Sequence, residues 1–194
     1  MHKRMVSLIV RLLYFKHCNY IKYMKINNKI TNISYYIKCI GKGKSQMIRF
    51  EFVSEEHRRH SVLARMPERS TENAAGYDFF AAADDIIGPG EIKTVWTDLK
   101  AKMNRHNVLL LLPRSSMGKR RVVLANGTGV IDSDYYGNSG NDGNIGIMLY
   151  NYGDEPYTIK AGDKIAQGIF VCFEKTDDDK AEGERMGGFG STGN

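Results

Sequence analysis

Two segments of the sequence concentrate side chains that could bind or cleave phosphate esters. Asp132 follows an apolar Val-Ile pair, a position that suits either a turn or a general base at the edge of a cleft. Residues 113–118 follow an apolar run and supply Arg114, Ser115 and Ser116. The guanidinium, hydroxyl and backbone N–H groups of this segment could bind phosphate oxygens, although a surface turn with one arginine is the simpler alternative.

Three further segments accompany them. Residues 126–131 predict a glycine-rich hairpin whose backbone donors and acceptors could pair with a flat base. Residues 162–167 form a second glycine-containing turn that ends at Gln167, and residues 75–79 read Ala-Gly-Tyr-Asp-Phe. The C-terminal residues 187–193 place one phenylalanine among glycine, serine and threonine. They could wrap around phosphates but lack the Gly-Lys-Ser/Thr ending of a P-loop.

Short strands separated by turns must position these segments. Alternating or apolar runs predict strands over residues 48–53, 92–96, 108–112, 121–124, 145–151, 157–159 and 165–173. Glycine, proline and asparagine turns lie between them, which favours an all-β barrel or sandwich. A short helix is expected near residues 98–103. Cys172 is expected to be a small buried side chain in the last strand.

Charge divides the chain into unlike parts. The net charge is +6, but residues 1–46 hold ten Lys or Arg and no acid, which leaves 18 basic against 22 acidic residues and a net charge of −4 elsewhere. A secretory signal is disfavoured for residues 1–46 because Arg11 interrupts the apolar run. A transit peptide and a nucleic-acid-binding arm stay open. The favoured interpretation is translated upstream sequence before a native start at Met47.

The predicted organisation is therefore a basic extension over 1–46, a β-domain over 47–173 and a mobile glycine-rich arm over 174–194. No run is long and apolar enough to predict a membrane span in the first half. The cysteines form no disulfide or zinc pattern, so a reducing cytoplasm is the expected compartment.

In this order and spacing, the five segments resemble the motifs of the homotrimeric dUTPases. They read Ala-Gly-Tyr-Asp-Phe, Arg-Ser-Ser-Met-Gly, Gly-Val-Ile-Asp-Ser-Asp-Tyr, Gly-Asp-Lys-Ile-Ala-Gln and Gly-Gly-Phe-Gly-Ser-Thr-Gly, and the resemblance covers about residues 48–193. It implies a distorted jelly-roll barrel with a mobile C-terminal arm, and a homotrimer with active sites shared between subunits. The implied reaction is Mg²⁺-assisted hydrolysis of dUTP to dUMP and pyrophosphate.

The resemblance also implies a role for each matching residue. Asp132 would activate the water that attacks the α-phosphorus, and Asp78 would act on Mg²⁺ through water, the ion being held mainly by the triphosphate. The phosphate contacts would be Arg114, Ser115, Ser116, Gln167, Arg185, Ser191 and Thr192. The uracil and deoxyribose contacts would be Asn126, Gly129, Ile131, Tyr135 and Phe189.

Three departures from the family pattern bear on these roles. Ser116 stands where a glycine is usual, and Arg185 lies one residue later than the usual arginine, whose place Glu184 takes. Residues 138–144 lengthen the connection after the third motif and contain no apolar side chain, so an exposed loop is expected there. This loop is either a tolerated insertion or the site of a protein partner.

Two other functions remain as alternatives. A dCTP deaminase-like enzyme would share the fold, and a regulatory protein-binding module could use a dUTPase scaffold. Nucleic-acid binding is disfavoured, because residues 47–194 carry net negative charge once the basic extension is set aside.

Overall fold

The β-domain is all-β, as predicted. The computed structural model describes residues 48–183, Arg185 and Gly187. The predictions for residues 1–46 and for Phe189, Ser191 and Thr192 therefore lie outside the described residues. Among the described residues, no helix is of the length and apolarity needed to cross a bilayer.

Eleven strands and three short helices make up the described part of the chain. The strands are β1 Arg49–Phe52, β2 Tyr77–Phe80, β3 Asp85–Ile87, β4 Ile92–Trp96, β5 Leu99–Lys102, β6 Asn107–Leu112, β7 Val122–Leu124, β8 Gly129–Ile131, β9 Gly146–Asn151, β10 Tyr157–Ile159 and β11 Lys164–Cys172. The helix α1 spans Ser115–Lys119, and 3₁₀ turns span Glu55–His57 and Ser133–Tyr135.

The strands form antiparallel sheets, the largest in the order β2-β11-β6-β8. A second sheet has the order β4-β9-β7, and the pairs β1-β5 and β3-β10 complete the described strands. Strand β11 pairs with β2 on one side and with β6 on the other. The largest sheet therefore joins the segments at 75–79, 113–118, 129–132 and 162–167.

The core lies between these sheets and is built from alternating apolar side chains. Phe79, Leu109, Ile147 and Leu149 are at most 1% exposed, and each such side chain contributes about 1.5–3 kcal/mol of hydrophobic stabilisation. In β11, Gly168 permits close packing, because a Cβ there would lie 2.8 Å from Phe79 Cε2. A side chain at this position would push the core apart.

The predicted helix at residues 98–103 is wrong, because this segment contains strand β5, which pairs with β1. Leu99, Ala101 and Met103 are buried, whereas Lys100 and Lys102 are partly exposed. This alternation has the period of two that belongs to a strand. Residues 77–80, 85–87 and 129–131 are further strands that were not predicted as such.

Two predictions of exposure are also wrong. In the loop 138–144, Asn138, Asn141 and Asn144 are buried, and Ser139 and Gly140 are exposed. The asparagines tolerate burial because their amide groups are hydrogen-bonded to neighbouring backbone and side-chain groups. Conversely, Cys172 is exposed, because it lies at the very end of β11.

Candidate functional site

Asp78 stands at the centre of a charged cluster in the largest sheet. Arg114 Nε lies 2.9 Å from Asp78 Oδ1, and Lys164 Nζ lies 2.7 Å from Oδ2. Ser70 Oγ donates a hydrogen bond of 2.8 Å to Oδ2. Burial raises the pKa of Asp78, but the hydrogen bonds and positive charges of Lys164, Ser70 and Arg114 outweigh it, so the pKa lies below its usual value. The carboxylate is therefore ionised and holds two cations in place.

Gln167 joins three of the predicted segments at this cluster. It pairs with Asp78 of β2 and with Leu112 of β6, and its Nε2 donates to the carbonyl of Pro113 at 3.0 Å. A Cβ at Gly76 would lie 2.5 Å from Gln167 Oε1, so a side chain there would displace the Gln167 amide. The antiparallel register of β2, β11 and β6 thus brings the segments 75–79, 113–118 and 162–167 together.

The first turn of α1 presents the predicted phosphate-binding hydroxyls. Ser115 and Ser116 are exposed, and buried Met117 anchors the helix to the core. Beside them lies a polar cavity of about 250 Å³. Its lining residues are Arg114, Ser116, Met117, Arg120, Tyr157, Gly162, Asp163 and Lys164.

Arg120 and Lys164 are cations of this cavity to which the sequence assigned no role. Arg120 follows Ser116 by four residues, the spacing that places two side chains on the same face of a helix, and this signal could have identified it. Lys164 is part of the fourth motif, but its contact with Asp78 depends on the pairing of β11 with β2. We refer to Asp78, Arg114, Arg120, Lys164 and Gln167 as the phosphate cluster.

A second group of predicted residues lies around Asp132, between β8 and a 3₁₀ turn. Its side chain is 46% exposed, and Arg185 Nη2 lies 2.7 Å from its Oδ2. Arg185 Nε also lies 2.9 Å from Asp134 Oδ1, and its guanidinium stands 5.7 Å from the centre of the Tyr135 ring. Arg185 therefore binds two carboxylates and covers an aromatic face.

Tyr135 is held at its hydroxyl. The hydroxyl donates to the carbonyl of Asn144 at 2.8 Å and accepts from Nδ2 of Asn141 at 2.7 Å. Burial raises the pKa of Tyr135, the hydrogen bond from Asn141 and the charge of Arg185 oppose it, and the pKa remains above its usual value. The phenol is therefore neutral at physiological pH.

The predicted base-reading hairpin has an exposed tip. Asn126 is exposed, and Gly127 adopts a φ of +69° and donates to the carbonyl of Leu124 at 2.9 Å. Gly129 lies against Leu111, because a Cβ on it would be 3.0 Å from Leu111 Cβ. Ile131 is 6% exposed, so its side chain belongs to the core and only its backbone can contact a ligand.

One chain does not bring the two groups together. In the antiparallel pairing of β6 with β8, Leu109 lies opposite Ile131, which places Asp132 beside Val108. Arg114 follows Val108 by six residues, beyond the other end of β6. At about 3.3 Å per residue, an extended strand of six residues is about 20 Å long. Within the chain, Arg185 lies with Asp132 and not with the phosphate cluster.

Comparison with known proteins gives consistent matches. Residues 63–193 match the family model described as dUTPase. The deoxyuridine 5′-triphosphate nucleotidohydrolase of Lactococcus lactis is 45% identical over 131 residues, which cover 66% of this chain and 87% of that protein. The corresponding protein of Mus musculus is 38% identical over 142 residues, 70% of this chain and 82% of the relative.

Solved structures agree with these matches. The crystal structure of dUTPase from Streptococcus mutans matches with a TM-score of 0.59 and 38% identity. The match covers 66% of this chain and 98% of the S. mutans chain. The dUTPase of phage phi11 of S. aureus, a structure that reveals the coordination of a structural Mg(II) ion, has a TM-score of 0.56 and 27% identity. That match covers 71% of this chain and 98% of the phage protein.

Proposed function

The chain belongs to the dUTPase family, has the jelly-roll-like β fold of that family and hydrolyses dUTP to dUMP, and we propose which of its residues carry out each part of this reaction. The observation that carries the proposal is the register of β6 and β8, which separates Asp132 from the phosphate cluster. Reacting groups must lie about 3–3.5 Å apart in a productive complex. Within one chain, an extended path of about 20 Å keeps Asp132 away from the phosphate cluster.

A homotrimer with shared active sites resolves this separation. Asp132 of one subunit would face the phosphate cluster of its neighbour, and a head-to-tail contact repeated around a closed ring generates such sites. Val130, which precedes Asp132 by two residues, is 58% exposed on β8. An apolar side chain at this position suits a surface that a neighbouring subunit covers.

Asp132 acts in this proposal as the general base. Its carboxylate, which is 46% exposed, has room to accept the proton of a water molecule positioned for in-line attack on the α-phosphorus. Arg185 holds the same carboxylate in the substrate-free chain. Phosphate oxygens would compete for Arg185 and release Asp132 to orient the water.

The phosphate cluster binds the triphosphate. Arg114, the hydroxyls of Ser115 and Ser116 and the amide of Gln167 are the contacts taken from the family motifs, and Lys164 and Arg120 add positive charge beside them. The ionised Asp78 keeps Arg114 and Lys164 close together in the absence of substrate, so the site needs little rearrangement when phosphate arrives.

Magnesium fits this site as an ion carried by the substrate. Among the described residues, there is no group of three or more His, Cys, Asp or Glu side chains that could hold a metal. Both oxygens of Asp78 already contact cations or a hydroxyl, which suits contact with an ion through water. When bound, the ion neutralises charge on the phosphates.

The remaining contacts recognise the nucleoside. Asn126 and the backbone from Gly129 to Ile131 would read the uracil edge, and the Tyr135 ring would lie against the deoxyribose and leave no room for a 2′-hydroxyl. Phe189, Ser191 and Thr192 stay predicted contacts of the closing C-terminal arm. Arm closure would exclude water from the reacting phosphates.

Substitution of Asp132 tests the catalytic role. Asp132→Asn retains the shape of the side chain but loses the proton acceptor, so kcat should fall by about 10²–10⁴. Asp134→Asn is the matched control, because Asp134 also binds Arg185 but is not assigned to the water. Pyrophosphate release from dUTP measures both variants, and equal losses would contradict the assignment.

A further inference from the structure

The loop 138–144, whose three asparagines are buried, packs against Tyr135. Asn141 Nδ2 donates to the Tyr135 hydroxyl at 2.7 Å, and Asn138 Nδ2 donates to the Tyr135 carbonyl at 2.8 Å. At Gly143, with a φ of +81°, a Cβ would lie 2.7 Å from the same carbonyl. The loop therefore contacts both ends of the tyrosine, its backbone and its hydroxyl.

The loop is itself fixed to the β-domain. Asn144 Nδ2 donates to Asp98 Oδ1 and to the carbonyl of His57, each at 3.0 Å. Asp142 Oδ2 lies 2.7 Å from Lys100 Nζ and accepts from the Ser54 N–H at 2.7 Å. These anchors connect the loop to elements that precede it by more than 40 residues. A loop held in this way can keep the side chain that it contacts in a defined position.

Asn141 holds the tyrosine at the point where a small shift has the largest effect. The hydroxyl is the end of the side chain farthest from the backbone, and its hydrogen bonds to Asn144 O and from Asn141 act with the packing of the buried ring to position it. Asn141 is 8% exposed, and its Oδ1 accepts from Asn138 Nδ2 at 2.8 Å and from the Gly143 N–H at 3.1 Å. Its own rotamer is therefore fixed as well.

From these contacts we infer that Asn141 is a positioning residue that sets the discrimination between 2′-deoxyribose and ribose through Tyr135. The inference rests on the proposed contact of the Tyr135 ring with the sugar. Loss of the Asn141 hydrogen bond removes one of the contacts that position the ring, so that a small change of its tilt opens space for a 2′-hydroxyl. UTP should gain most, while dUTP, which needs no such space, should lose little.

The experiment compares kcat/KM for dUTP and for UTP in the full chain. In Asn141→Ala, the ratio of the two should fall by about threefold to tenfold, the value of one hydrogen bond. Tyr135→Phe should lower the ratio at least as much, because it removes this bond together with the bond to Asn144 O and creates no large cavity. The double variant should fall no further than Tyr135→Phe alone, since the Asn141 bond to the hydroxyl is already absent in that variant.

Asn151→Ala is the matched control. Asn151 is 1% exposed, donates to the carbonyls of Ile87 and Glu155 at 3.0 and 2.8 Å and accepts from the Gly153 N–H at 2.9 Å. It resembles Asn141 in burial and hydrogen bonding but does not contact Tyr135. Its loss should lower the melting temperature and leave the dUTP/UTP ratio unchanged.

Two results would overturn the inference. The first is a dUTP/UTP ratio of kcat/KM in Tyr135→Phe and Asn141→Ala that equals the wild-type ratio. The second is an equal fall of this ratio in Asn151→Ala, which would indicate a general effect of destabilisation. Tyr135→Phe retains the packing of the ring and so provides an answer even where Asn141→Ala folds poorly. If the wild-type chain itself does not prefer dUTP to UTP, the proposed sugar contact fails first, and the role of Asn141 fails with it.

Discussion

Mixed assemblies of two impaired variants should recover activity if the active site is shared. One chain carries Asp132→Asn and lacks the general base, and the other carries Arg114→Ala and lacks a cation of the phosphate cluster. The extended path of about 20 Å that follows from the β6–β8 register keeps these two groups of a single chain apart. Each variant retains the group that the other lacks.

The expected recovery follows from counting interfaces. Each mixed trimer, whichever variant it holds twice, has one interface in three, or about 33%, that joins an intact Asp132 to an intact phosphate cluster. Asp132→Asn homotrimers lose about 10²–10⁴ in rate, and loss of a charged contact to phosphate costs about tenfold or more. Without sharing, the mixture would therefore show at most about 5% of wild-type activity, the mean of its parents.

Coexpression with two different affinity tags isolates the mixed trimers, and pyrophosphate release at limiting dUTP measures them. The control pairs Asp132→Asn with a chain that carries both Asp132→Asn and Arg114→Ala, a combination that contains no intact general base and should recover nothing. Activity of the purified mixed trimers at the mean of the two parents would refute the shared site and, with it, the division of roles proposed above.

Two further predictions concern single charged residues. Lys164→Met should raise the KM for dUTP by about tenfold with a smaller change in kcat, because a charge-assisted phosphate contact is lost; Lys160→Met, which removes a lysine paired with Asp84, is the control and should leave KM unchanged. Burial raises the pKa of Asp98, but hydrogen bonds from the Arg59 N–H, Asn144 and His60 bring it below its usual value. The contribution of ionised Asp98 to the free energy of unfolding is therefore complete above about pH 4, the unfolded-state pKa, and is lost as the pH falls through the folded-state pKa. The free energy of unfolding measured in urea should be lower at pH 3 than at pH 5 in the wild type, and this difference should be smaller in Asp98→Asn.

The sequence predicts those parts of the site whose chemistry is local. Asp132 and the segment 113–118 are proposed from their residue types and spacing and stay predictions, whereas most strands follow from apolar runs and turns and are confirmed. The helix predicted at residues 98–103 is wrong although Leu99, Ala101 and Met103 alternate with lysines, because an alternation this short becomes decisive only when β5 pairs with β1.

The errors that remain concern contacts between distant residues. Asparagines are typical of exposed loops, and nothing in the segment 138–144 indicates that Asp98 and Tyr135 lie within reach of its amides. The contact of Lys164 with Asp78 likewise depends on the register of β11 against β2. Such pairings are set by the tertiary fold and leave no local pattern.

The position of β11 determines how the protein opens. This nine-residue strand pairs with β2 from Lys164 to Gly168 and with β6 from Gln167 to Cys172. The amide hydrogens of Gln167 and Gly168, which have paired neighbours on both sides, should therefore exchange with solvent only when the β-domain unfolds, whereas the exposed tip at Asn126 and Gly127 exchanges through local fluctuation. The proposed binding of phosphate by Lys164 and Gln167 would thus be coupled to global stability, and a ligand that occupies this strand should protect the entire domain against proteolysis.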